Sequence, residues 1–263
     1  MAENSKIAWT DHSFNPWWGC VKVSEGCKHC YAETFSKRTG NDIWGVDKPR
    51  RFFGDKHWSD PLKWSANAEK AGVRAKVFCA SMADVLEDRL DLAEPRKRLA
   101  DLIKETPYLD WLLCTKRIEN AYEMMAESKM CTLIGAPLDN VWLGTTVENQ
   151  KQADIRIPQL VAIPARIKWL SVEPMLEKID LQLEVRNYGR DFDTHSERID
   201  WVIVGGESGL GCRPFDWDWA RDIRDQCKSA DVSFFMKQGG GHPNKRHELD
   251  DMPEDLRIRE FPA

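Results

Sequence analysis

Apolar residues along this chain fall into short, nearly unbroken runs, each ending in polar or charged positions. "KVFCASMAD" (76–84) is the first clear case, followed by "YLDWLLCTKR" (108–117), "VWLGTTVEN" (141–149), "IKWLSVEP" (167–174), "DWVIVGGES" (200–208) and "VSFFMKQ" (232–238). Near-continuous hydrophobicity over so few residues predicts parallel strands covered on both faces, where alternation would predict a half-exposed sheet. The intervening segments carry helical spacing. "EPRKRLADLIKE" (94–105) sets Leu99, Leu102 and Ile103 on one face behind Pro95 near a first turn, and "RIENAYEMMAE" (117–127) and "WDWARDIRDQCKSA" (217–230) behave alike. The polar stretch "EVRNYGRDFDTHSE" (184–197) reads as an insertion loop.

Strands alternating with helices predict an α/β fold with a parallel sheet and right-handed crossovers. Six clear strands and another near "SFNPWWG" (13–19) make six or seven units. A complete eight-unit barrel needs about 250 residues, too many once the N-terminal region is set aside. The expectation is a partial (β/α) barrel of six to seven parallel strands in a single domain, 1–263. Its N-terminal cysteine-bearing, aromatic-rich region covers 1–70, its strand–helix repeats 71–240 and its tail 241–263. An open doubly wound sheet is the alternative, but no glycine-rich phosphate turn follows the first strand, and "GGESGLG" (205–211) comes late and lacks the G-x-G-x-x-G pattern. Twelve tryptophans, six of them before residue 65, predict an N-terminal region of loops pinned by large aromatic anchors.

Composition narrows the class. With 42% hydrophobic and 31% charged residues the chain is globular, and no run approaches the roughly 20 apolar residues of a membrane span. "MAENSKIAWTDHS" has none of the regions of a signal peptide, so a cytoplasmic protein without a membrane partner is expected. Eight cysteines in such a compartment read as core residues, metal ligands or catalytic groups, not as four disulfides. The net charge of −5 argues against a general electrostatic grip on nucleic acid. Concentrated basic patches at "KPRRFFGDKHW" (48–58), "PRKR" (95–98) and "NKRH" (244–247) leave room for a local one, although such runs are commonly solvated surface.

In parallel α/β folds, functional groups gather beyond the C-terminal ends of the strands. Those ends carry Ser81 and Asp84; Lys116 and Arg117; and Glu148, Glu173 and Glu207 at the close of "TTVE", "LSVE" and "VGGE"; with Lys237 on the last strand. Three carboxylates at matched positions, with cations at other strand ends, predict a mouth that receives a ligand with both a cationic and an anionic part. Helix capping or internal ion pairing is the competing use of such residues.

"WWGCVKVSEGCKHCYAE" (17–33) places Cys20, Cys27 and Cys30 in a C-x6-C-x2-C pattern. Thiolates two residues apart can chelate one centre. A structural zinc normally closes with four ligands, and the extra candidates nearby are His12 and His29. Three thiolates suit a [4Fe–4S] cluster with one open iron, and zinc stays open as the alternative.

The segment "SEGCKHCYAE" resembles the cluster loop of the radical S-adenosylmethionine superfamily, whose usual first interval is shorter. The blocks "CASMADV", "LLCTKR", "VWLGTTVENQ", "LSVEPM", "WVIVGGESG" and "FFMKQGG" resemble a phage- and prophage-associated three-cysteine-motif family of unknown function within it. The resemblance implies an enzyme in which Cys20, Cys27 and Cys30 hold a [4Fe–4S] cluster. S-adenosylmethionine would be cleaved reductively to a 5′-deoxyadenosyl radical, with a flavodoxin- or ferredoxin-like reductant. It further implies that Glu148, Glu173 or Glu207 holds the cofactor's amino group or ribose. Lys116 or Arg117 would meet its carboxylate, His29 and Tyr31 would contact adenine, and Ser81 and Asp84 are further candidates. Cys212 is a candidate hydrogen-atom donor. The remaining cysteines (Cys79, Cys114, Cys131 and Cys227), together with Trp142, Trp169 and Trp201, are expected to be core. A nucleic acid or nucleotide is the expected substrate class, with Arg50 and Arg51 gripping phosphate in a salt-dependent way. The rival expectations are a zinc-binding barrel protein and a non-catalytic nucleic-acid-binding protein.

Overall fold

The computed structural model describes residues 3–131, 137–183, 198–241 and 248–262; the predicted insertion loop and the "NKRH" patch lie outside the described residues. Seven strands form one sheet in the order β1 (His12–Ser13), β4 (Ala75–Cys79), β5 (Leu109–Thr115), β6 (Val141–Thr146), β7 (Ile167–Val172), β8 (Trp201–Gly205) and β9 (Ser233–Gln238). Ladders β1–β4, β4–β5, β7–β8 and β8–β9 are all parallel, with Val77 opposite Trp111 and Trp169 opposite Trp201. Strands neighbouring in sequence order and running parallel give the topology of an incomplete (β/α) barrel. Every residue of β6 and β8 is buried, as expected of strands covered on both faces. A two-stranded antiparallel ribbon, β2 (Trp17–Trp18) with β3 (Arg51–Phe52), stands apart from the sheet.

The chain groups into two compact units: residues 1–22 with 32–143, and residues 23–31 with 144–263. In the first unit, helix α4 (Ala93–Glu105) buries Leu99, Leu102 and Ile103 as its spacing predicts, but it also buries Arg96, which donates to the carbonyls of Val85 and Glu87. One of the three basic residues of the "PRKR" patch is therefore not solvated surface, while Lys97 and Arg98 are exposed. The N-terminal aromatics do act as anchors: Phe14 is fully buried against His57, Trp58 and Trp111, with ring centroids 4.8, 5.2 and 5.7 Å away. They do not hold loops alone. Helices α1 (Tyr31–Arg38), α2 (Asp55–Trp58) and α3 (Asp60–Ala71) occupy the stretch expected to be irregular. α3 begins with Pro61 in its first turn and ends at Gly72, whose φ of 67° is the left-handed conformation that glycine adopts without strain. Helix α5 (Ala121–Glu127) completes this unit.

In the second unit, α6 (Gln150–Val161) follows β6 and starts at Asn149, whose side chain accepts from the Gln152 amide as an N-cap. α7 (Trp217–Ser229) buries Ala220, Ile223 and Cys227. Trp169 and Trp201 are fully buried with ring centroids 6.0 Å apart, so these tryptophans, with the nearly buried Trp142, are core as expected. Cys79 and Cys227 are buried too, whereas Cys114 and Cys131 are only half-buried. Among the described residues, no helix is long and apolar enough to cross a membrane.

Candidate functional site

The three matched carboxylates all lie in the second unit, beyond the ends of β6, β7 and β8, and each has protein partners. Glu148, fully buried, accepts from Arg156 of α6 at 2.9 Å and from the Gly26 amide at 3.1 Å. Glu173, half-buried, receives Lys237 Nζ at 2.7 and 2.6 Å and Gln238 Nε2 at 2.9 Å, both from the end of β9. Glu207 is held by the Arg213 amide at 2.8 Å and Nε at 3.0 Å, and it accepts from His29 Nδ1 at 2.9 Å. Burial alone would raise the Glu207 carboxyl, but the Arg213 and His29 hydrogen bonds outweigh it and hold the group at about 2. The competing use of strand-end residues is thus realised here as three internal charge-assisted sets. Glu148 with Arg156 is closed to solvent, while the sets around Glu173 and Glu207 reach it.

Glycines make this packing possible. A Cβ on Gly26 would lie 2.9 Å from Glu148 Cδ, and one on Gly205 would lie 3.0 Å from Glu173 Cδ. Residues 23–31 join the second unit through Gly26 and His29, and Arg213 also comes within 3.7 Å of Glu25. Tyr31 is exposed at the start of α1, and Cys212 is half-buried, its amide donating to the Gly209 carbonyl.

The other predicted site residues belong to the first unit. Asp84 is buried and accepts from Thr115 Oγ1 (2.7 Å), the Leu86 and Lys116 amides (3.1 and 3.0 Å) and Arg117 Nη1 (3.0 Å). Ser81 accepts from Asn15 Nδ2 at 3.0 Å, and Lys116 is half-buried. Arg117, also buried, donates to the Val21 carbonyl at 2.8 Å and approaches Cys20 Sγ at 3.6 Å. Burial, and then the charge of Asp84, push the Cys20 thiol up to about 12, so it stays protonated.

The arrangement of the ligating side chains overturns the cluster expectation. Among the described residues, no group of three or more His, Cys, Asp or Glu side chains is arranged to hold a metal ion. The residues fit neither a [4Fe–4S] cluster nor the zinc alternative. The radical S-adenosylmethionine enzyme expected from the motif, with its iron–sulfur and S-adenosylmethionine cofactors, is corrected on the same ground.

A second polar constellation lies on the β2–β3 ribbon of the first unit. Trp18 and Arg51 are directly opposite in the ladder. The Arg51 guanidinium sits 4.8 Å from the Trp18 ring centroid and 5.4 Å from that of Phe53, and donates to Asn41 Oδ1 at 3.3 Å. Trp18 also meets Phe35 and Phe53 edge-on, at 5.9 and 5.7 Å. Phe53 stacks on His57 at 4.2 Å, and His57 Nε2 donates to the Asn15 carbonyl at 2.7 Å. Phe35 and Phe52 are 42% and 47% exposed. Arg50, paired with Arg51 in the sequence expectation, is not at this surface. It is buried in a bidentate pair with Glu87 and also donates to the Lys48 carbonyl, so it serves the core.

Fold and constellations together define an α/β protein with a sequentially ordered parallel sheet, internally paired strand-end charges and an aromatic–cationic ribbon. The chain belongs to the family described as protein of unknown function (DUF5131), whose profile matches residues 4–257. That description names neither a chemistry nor a phage source. No curated protein and no solved structure matches the chain.

Proposed function

We propose that the protein binds single-stranded nucleic acid through the β2–β3 ribbon and the flanking α1 and α2 of the first unit. The observation that carries this reading is the exposed Arg51 lying over Trp18 and Phe53, with Phe35 edge-on to Trp18 and open to solvent. Exposed aromatic rings accept base faces with little regard to sequence, at about 1–3 kcal/mol per stacked base. Base faces are available in single strands and hidden in duplexes, and an adjacent guanidinium supplies the phosphate contact. Charge distribution supports the same surface. Lys and Arg balance Asp and Glu in the first unit, 20 against 20, so the net −5 resides entirely in the second. The first unit therefore carries no net charge of its own to oppose binding.

Fluorescence anisotropy with labelled single-stranded DNA and RNA oligonucleotides across a salt series tests the proposal. Affinity should fall as salt rises and exceed that for a duplex of the same sequence. Phe35→Ala should weaken binding about tenfold, corresponding to about 1.4 kcal/mol. A Phe35→Ala, Arg51→Ala double variant that binds like wild type would overturn the proposal.

A further inference from the structure

Cys20 donates to the Val21 carbonyl and receives Arg117 in the first unit, and Cys27 and Cys30 form a C-x2-C pair on the segment 23–31 of the second. Glu25–Cys27 forms a 3-10 turn, with the Cys27 amide donating to the Ser24 carbonyl and the Lys28 amide to that of Glu25. Lys28 keeps helical angles, φ −58° and ψ −49°, and Lys28 and His29 form the turn that leads to Cys30. Residues three apart across a turn have Cα atoms within about 7 Å, and a disulfide spans Cα separations of about 4.4–6.8 Å. Two anchors fix this turn beside and between the sulfurs: Gly26 on Glu148, and His29 on Glu207. Both cysteines are half-buried and reduced, so an oxidant of small size can reach them.

We propose that Cys27 and Cys30 are a redox modification site, a dithiol that a low-molecular-weight disulfide converts to an internal disulfide closed around His29. One thiolate of the pair attacks a sulfur of the oxidant and releases the first small thiol. The second protein thiolate then attacks the mixed disulfide and releases the other small thiol. One S–S bond forms in the protein as one in the oxidant breaks. The protein loses two electrons and two protons, and the oxidant is reduced to two thiols. Closure ties the turn that seats Gly26 and His29 on their carboxylates, so oxidation strengthens the attachment of residues 23–31 to the second unit.

The test uses the full chain incubated over rising ratios of glutathione disulfide to glutathione. Intact mass should fall by two hydrogen masses, and non-reducing peptide mapping of the wild-type protein should place the bond between Cys27 and Cys30. Cys20→Ser and Cys212→Ser should keep that bond, while Cys27→Ser should lose it and carry glutathione on Cys30. Hydrogen exchange at the Gly26 amide should slow several-fold in the oxidised protein. Mapping that joins either cysteine to Cys20 or Cys212, or finds each capped singly by glutathione with no internal bond at any ratio, would overturn the proposal; because it is read on the wild-type chain, it does not depend on any variant folding.

Discussion

Arginines at the strand ends and on the ribbon meet opposite fates. In the second unit, Arg156 and Arg213 are taken up by the strand-end glutamates, and the C-terminal edge of the sheet is knitted together by charge. In the first, Arg50 disappears into the core against Glu87, whereas its neighbour Arg51 is exposed over half-buried aromatic rings, with a hydrogen bond to an asparagine. A charged residue removed from water must be paired and hydrogen-bonded, and once paired it has little left to offer a ligand. The strand ends, the usual place for chemistry in this architecture, are largely committed to holding the second unit together. The surface proposed for recognition comes from a short ribbon outside the main sheet.

That contrast can be broken by mutation, and the largest effect should come from the buried pair. Arg156→Met leaves Glu148 without its cation and should cost about 3–5 kcal/mol in urea unfolding. Adding Glu148→Leu should recover much of the loss, whereas an equal cost in the double variant would show that packing, not charge, holds this corner. Gly144→Ala should cost about 1–3 kcal/mol, because its Cβ would stand 2.3 Å from the buried Trp169 ring. A smaller effect should come from Arg213→Gln. Glu207 titrates at about 2, below its ordinary 4.5, so the stability it contributes is present above about pH 4.5 and is lost as pH falls toward 2. The stability gap between wild type and Arg213→Gln should be widest near neutral pH and narrow through that acid window, and a gap independent of pH would contradict the assignment. Smallest of all should be the effect of Arg51→Ala on folding, within about 0.5 kcal/mol as for other exposed positions, while oligonucleotide affinity and its salt slope both fall. If unfolding moved as much for Arg51→Ala as for Arg156→Met, the distinction between the ribbon and the strand ends would collapse.

The strands were readable because double-sided burial writes itself into composition: five of the six clear runs contain an observed strand and the sixth overlaps β4. The strand expected near 13–19 is split between the short β1 and the separate ribbon. Helix α3 was missed although Pro61 and Gly72 mark its ends, since the density of tryptophans around it drew the reading toward anchored loops. The carboxylates at the strand ends were readable as a repeated position, but their use was not. Lys237 reaches Glu173 from 64 residues away, and His29 reaches Glu207 from 178. The thiols misled for a related reason. Proximity along the chain suggested a shared centre, yet among the described residues no three such side chains are arranged to hold a metal ion, and Cys20 lies against Arg117 instead.

Local periodicity and burial preference were enough to establish the parallel α/β class, the strand positions and the candidate polar groups, because these depend on neighbours within a few residues. Which of those groups remain available to a partner was decided by tertiary structure. Arg50 and Arg51 share chemistry and sequence context, and only the pairing of Trp18 with Arg51 across the ribbon sends one to the core and the other to solvent. Desolvation and ion pairing are set by long-range contacts, and a one-dimensional pattern carries no record of them.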